Sequence, residues 1–151
     1  MRKLYGALVA GLVALTLTGV VQAQPATTFV IRLSPQNETS GCTAGEESGA
    51  RGVARVRVNA ETGEIAYRVV ARKLPGTIAG SPGAHIHVAP AGVAGPIVAP
   101  LDLTGREKGL VAKGTITSPE LAAAILANPE NYYVNVHTTV CPGGVIRGQF
   151  G

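Results

Sequence analysis

The strongest constraint on this chain is the period of its apolar residues. From Val53 to Val58, Ala54, Val56 and Val58 alternate with Arg55 and Arg57, and Ile65, Tyr67, Val69 and Ala71 later alternate against Arg68 and Arg72. Successive side chains of a strand point to opposite faces, so a period of two buries one face and wets the other. Asn59-Ala60-Glu61-Thr62-Gly63 supplies the turn between these runs, and together they predict a hairpin. Further strand patterns lie at 27–33, 84–88, 97–103, 109–117, 132–138 and 145–150, about eight in all. The polar, Gly-containing stretch 34–49 between the first two strands reads as loop. One segment breaks the pattern: Ser118-Pro119-Glu120 followed by an Ala- and Leu-rich run and Asn128-Pro129 predicts a short helix over about 118–127. Ser118 can cap its first turn, Pro119 suits the first helical position and Asn128-Pro129 stops it. Short antiparallel strands with one inserted helix predict an all-β sandwich or barrel.

The N-terminus has a different character. Arg2 and Lys3 precede an uncharged apolar run from Leu4 to Val21, and Val21-Gln22-Ala23 places compact residues where a signal peptidase reads. We expect residues 1–23 to be a signal peptide cleaved between Ala23 and Gln24; the alternative is an uncleaved anchor, although no basic stop-transfer residues follow the run. Cleavage leaves 24–151, enough for one domain with one core and not for two. It also removes two of the thirteen basic residues, so the formal charge falls from +4 to +2. With two Phe, four Tyr and no Trp, the basic and aromatic interleaving that binds single-stranded nucleic acid is missing, and no nucleic-acid partner is expected. The mature chain is expected in the periplasm or outside the cell, not embedded in a membrane. Its two cysteines, Cys42 and Cys141, would pair in such a compartment, the alternative being two buried thiols.

Three histidines are the chief candidates for chemistry. His85 and His87 share one face of strand 84–88, opposite Ile86 and Val88, and His137 shares a face with Tyr133 and Asn135 on 132–138. If Ile86, Val134 and Val136 point to the core, all three imidazoles lie on the outer side. An H-x-H pair and a third histidine from a nearby strand suit copper or zinc; the alternative is that the rings tie loop backbone by hydrogen bonds. A common ion requires one nitrogen of each ring within about 3 to 4 Å of the others, since bonds to zinc are about 2.0 to 2.1 Å. Arg147 and Gln149 share a face of the last strand, and their expected role is structural, tying a neighbouring loop. No G-x-S-x-G frame marks a nucleophile, and the carboxylates, among them the exposed pair Glu46-Glu47, form no convincing acid and base pair, so no catalytic residue is assigned.

Ala84-His85-Ile86-His87-Val88, Gly95-Pro96-Ile97-Val98, Tyr133-Val134-Asn135-Val136-His137-Thr138 and Pro142-Gly143-Gly144-Val145-Ile146-Arg147-Gly148-Gln149 together resemble the CHRD domain, named after the extracellular protein chordin. The resemblance runs from about Thr28 to the end of the chain. It implies an antiparallel immunoglobulin-like sandwich, distantly similar to the copper-zinc superoxide dismutases. In those enzymes an H-x-H strand pair and a late histidine hold copper, which maps onto His85, His87 and His137. Other parts of that set are missing: 89–100 has no bridging histidine, no Asp and His set offers a zinc site, and Thr138-Thr139-Val140, not an arginine, precede Cys141. The resemblance therefore implies at most a copper-only site. Two functions follow as expectations: a non-catalytic module that binds a protein or a cell-envelope component, and a histidine-based copper protein with superoxide-dismutase-like chemistry.

Overall fold

In the computed structural model, which describes residues 26–80, 83–102 and 109–151, the chain forms a sandwich of two four-stranded antiparallel sheets. The strands are β1 (Thr27–Leu33), β2 (Arg51–Val58), β3 (Glu64–Arg72), β4 (Ala84–Val88), β5 (Ile97–Pro100), β6 (Leu110–Thr117), β7 (Tyr132–Val136) and β8 (Ile146–Gln149). Two helices join them, α1 (Ala44–Ser48) and α2 (Pro119–Ala127). One sheet has the order β1-β2-β3-β6 and the other β5-β4-β7-β8. The proposed leader and its cleavage point, Ala23 and Gln24, lie outside the described residues, as does Leu103. No helix among the described residues is long and apolar enough to cross a membrane.

The period-two runs set which side chains enter the core. Ala54, Val56 and Val58 of β2 and Ile65, Tyr67, Val69 and Ala71 of β3 are buried, facing Ile86, Val134, Val136 and Ile146 of the second sheet. The predicted hairpin is β2-β3, with Val56 opposite Tyr67 and Asn59 Oδ1 accepting from the N–H groups of Glu61 and Thr62 in the turn. In α2, the Ser118 hydroxyl accepts from Leu121 N–H, and Ala122 and Ile125 pack into the core. A short bridge between Ser34 and Arg147 ties the end of β1 to β8, joining the sheets along one corner.

Two readings of the sequence need correction. The stretch 34–49 is not all loop: Ser34 and Pro35 start a single 3-10 turn, Pro35–Asn37, and α1 follows. Thr43 Oγ1 donates to Glu47 Oε1 and Gly49 closes the helix at φ +67°, so local hydrogen bonds organise a polar run that carries no apolar period. Glu46 and Glu47 accordingly sit in the first turn of a helix. The strands at 97–103, 132–138 and 145–150 are also shorter than expected: β4 begins at Ala84, to which Leu101 N–H makes the last bond of that ladder, and side-chain-bonded turns follow His137.

Cys42 and Cys141 form a disulfide, with Cα atoms 5.8 Å apart. It links the segment before α1 to the turn that follows β7. Closing a loop of this length stabilises a fold by about 4 to 5 kcal/mol in the chain-entropy account.

Candidate metal centre

His85 and His87 project from β4, the second strand of its sheet, and the adjoining strand is β7. The pairing places His85 opposite Asn135 and His87 opposite Tyr133, so the face carrying Tyr133, Asn135 and His137 continues the histidine face of β4. The ring centroids of His85 lie 5.6 Å from those of His87 and 5.0 Å from those of His137, and His87 and His137 are 6.0 Å apart. One nitrogen from each ring lies within 4.8 Å of those of the other two. This is the one group of three or more such ligands among the described residues. A 4.8 Å separation exceeds the 3 to 4 Å of a closed set, and two ligands on an ion at about 2.1 Å cannot exceed about 4.2 Å. A pair at that limit would therefore close by several tenths of an ångström on an ion.

Hydrogen bonds decide which nitrogen each ring can offer. His87 Nδ1–H donates to the Gly95 carbonyl at 2.9 Å and His137 Nδ1–H to the Pro142 carbonyl at 3.0 Å. A carbonyl only accepts, so in both neutral rings the lone pair is on Nε2. Both Nε2 atoms are buried without a partner, as is Nδ1 of His85. Buried polar atoms are ordinarily hydrogen-bonded; here three unpaired ring nitrogens belong to one cluster, two of them fixed as acceptors.

This outer face is partly covered. The segment 89–96 lies beside His87, which is only 7 % exposed, while His85 and His137 are half-buried. Gly95 fits there because it approaches β4 so closely that a side chain would strike the Val88 carbonyl. Burial pushes all three histidines toward the neutral form: His85 falls to about 4, with the nearness of the titratable rings of His137 and His87 adding to the effect, and His87 and His137 are lowered as well. Neutral imidazole is the form that binds metal.

Arg147 and Gln149 hold the covering segment. Arg147 is 1 % exposed; its guanidinium donates to the Val93 carbonyl at 2.8 Å, the Pro90 carbonyl at 2.9 Å and Gln149 Oε1. Gln149 Nε2 donates to the carbonyls of Ala89 and Glu130. The guanidinium carbon also lies 3.4 Å from the Tyr133 ring centroid, while the same ring stacks on His87 at 4.7 Å. With β7 between β4 and β8, Tyr133 separates the arginine from the histidines, so Arg147 does not line the cluster.

The family model of the CHRD domain matches residues 29–150. The chain belongs to the CHRD domain family. No curated protein and no solved structure matches it. Within this CHRD domain the matched span includes all three histidines, both cysteines and the two polar residues of β8.

Three participants escaped the sequence reading. Tyr133 and Asn135 were legible only as residues sharing a face with His137; the contacts of Tyr133 to His87 and Arg147, and the place of Asn135 between His85 and Arg147, depend on strand order. Glu38, in the run read as loop, is buried beside Asn135, and both its oxygens lack a hydrogen-bond partner. Gly144, at φ +126°, leaves room for both: a Cβ there would lie 2.7 Å from Glu38 Oε2 and 2.7 Å from Asn135 Nδ2.

Proposed function

We propose that this CHRD domain works outside the cytoplasm as a transition-metal-binding module, copper first, with His85, His87 and His137 as the ligands. The observation that carries the reading is the convergence of three buried ring nitrogens without partners, two of them left free by backbone carbonyls that fix the tautomer. A backbone carbonyl that accepts from the other ring nitrogen is the usual support of a metal-bound histidine. The donor set is all imidazole, which suits copper and zinc and not magnesium or calcium. Copper, when bound, supplies one-electron redox chemistry; the chain's own residues orient the three nitrogens and shield them from solvent. The occupied hydrogen bonds of Arg147 favour metal holding over superoxide-dismutase-like turnover, because its guanidinium is committed to the covering segment. The expected export is supported by the disulfide and by the N-terminal sequence.

The test is metal content. Protein exported by a host grown with copper should carry about one copper per chain, and the variant with all three histidines changed to Ala should carry none. Metal-free wild-type protein that also fails to bind added copper and zinc would sink the reading. A second reading, binding of a protein or cell-envelope component, is favoured by a different surface on the other sheet.

A further inference from the structure

Among the described residues, the outer face of the β1-β2-β3-β6 sheet is more open than the histidine face. It holds six exposed guanidiniums, from Arg32, Arg51, Arg55, Arg57, Arg68 and Arg72. The four strands contain a single carboxylate, Glu64, at the far end of β3. Arg51 donates to the Gly49 carbonyl; the side chains of the other five make no hydrogen bond or ion pair with a described residue. Arg55 lies directly opposite Arg68, and Arg51 directly opposite Arg72. Like charges so placed destabilise a sheet, so the pattern runs against the interest of the fold.

Between these two pairs the surface is apolar. Val53 pairs with Arg32 on one side and Val70 on the other, and Val30 and Val53 are 59 % and 39 % exposed. Arg32, Arg51, Arg68 and Arg72 with the three valines line a groove of about 850 Å³. The two arginine pairs are four residues apart along β2, about 13 Å at strand rise. Arginines directly opposite each other across two strands are close enough for both forks to reach one anionic group, and arginine binds carboxylate or phosphate by paired hydrogen bonds.

We propose that this groove, extended by Arg55 beside its Arg68, is a binding site for an acidic polysaccharide, with anionic groups held by the Arg51–Arg72 and Arg55–Arg68 pairs and the C–H faces of intervening sugars laid over the valines. Charge complementarity requires a polyanion. The concave shape favours a chain over a membrane plane, and the valine floor, with no aromatic ring on which to stack a base, favours sugar over single-stranded nucleic acid.

The experiment uses the purified protein and a fluorescently labelled oligogalacturonate, read by anisotropy, with neutral dextran as the uncharged control. Binding to the galacturonate and not to dextran is expected. Arg51→Gln/Arg72→Gln and Arg55→Gln/Arg68→Gln should each weaken it about tenfold or more, the loss of at least one hydrogen bond to a charged group. Both variants remove like-charge pairs, so they should keep the wild-type circular dichroism. Arg51→Lys/Arg72→Lys should bind at an intermediate strength, since a lysine keeps the charge and loses the fork. Unchanged binding in both Gln variants, or full binding in the Lys variant, overturns the site. Tighter binding to phosphatidylglycerol vesicles, duplex DNA or poly-L-glutamate than to the galacturonate overturns the choice of partner.

Discussion

Replacing Glu38 by Gln should make the domain more stable, and only on the alkaline side. The Glu38 carboxyl is buried next to Asn135 and Gly144, and burial raises its pKa from 4.5 to about 7. The Thr39 N–H, the Arg147 charge and the Asn135 amide oppose that rise without closing a normal hydrogen bond, so burial dominates. A carboxyl raised in the folded state contributes stability that is present below 4.5 and is lost as pH climbs through about 7. At about 1.36 kcal/mol per pH unit, the interval from 4.5 to about 7 sets a ceiling of about 3.4 kcal/mol. The side chain is only partly covered, so about 2 kcal/mol is the working figure. Glutamine keeps the shape and cannot ionise. The assay is urea unfolding of metal-free wild type and Glu38→Gln at matched pH, taken as a difference so that the histidine contributions cancel. The two proteins should be nearly equal at pH 4.5 and diverge to about 2 kcal/mol in favour of Gln above pH 7. A difference that stays constant across that range would refute the reasoning.

Three other outcomes are expected. Arg147→Met should cost about 3 kcal/mol or more in chemical denaturation, because it removes the guanidinium that donates to the Val93 and Pro90 carbonyls and to Gln149 Oε1 and lies against the Tyr133 ring, and a loss under 1 kcal/mol would count against the tie. Replacing both Cys42 and Cys141 by Ser should cost about 2 to 5 kcal/mol; it should also weaken copper binding about tenfold or more, because the bridge fixes the turn whose Pro142 carbonyl orients His137, and equal copper affinity in the folded variant would argue otherwise. Metal-free Glu38→Gln protein, in which the opposing carboxyl cannot titrate, should lose stability as pH falls from 6.5 to about 4, since burial depresses His85 and the unfolded chain takes up the proton first, while the same variant loaded with copper should resist that loss until the metal is released; identical pH profiles for the two forms would be inconsistent with these ligands.

How far the sequence carried depended on the range of the interaction concerned. The β2-β3 hairpin and α2 were legible because period, turn residues and caps are local, and the shared face of His85 and His87 followed from strand geometry alone. Whether His137 could reach them was not legible, because β4 and β7 are separated in the chain by β5, β6 and α2, and only the strand order makes them neighbours. The same holds for the cover over the face. Residues 89–96 have no apolar period, and what draws them down is donor geometry from Arg147, Gln149 and His87 toward their carbonyls. Glu38 gave no signal, since a polar residue in a Gly-containing run is ordinarily solvated.

The two outer faces of the sandwich differ in a way that bears on both proposals. Polar side chains on an exposed sheet face cost nothing to hydrate, and the arginines of β2 and β3 are left in water with their mutual repulsion screened. The histidines could have been treated likewise, and in water each free nitrogen would have a partner. Instead a buried arginine, a glutamine, a stacked tyrosine and a disulfide hold two segments over or beside them, and the enclosure leaves three nitrogens unpaired. Each unpaired buried acceptor costs about 1 to 3 kcal/mol, so stability alone would favour removing the cover or the histidines. An ion that accepts all three lone pairs cancels that cost. The enclosed face is therefore the place to look for a small ligand with fixed coordination, and the open arginine face for a large one held by charge.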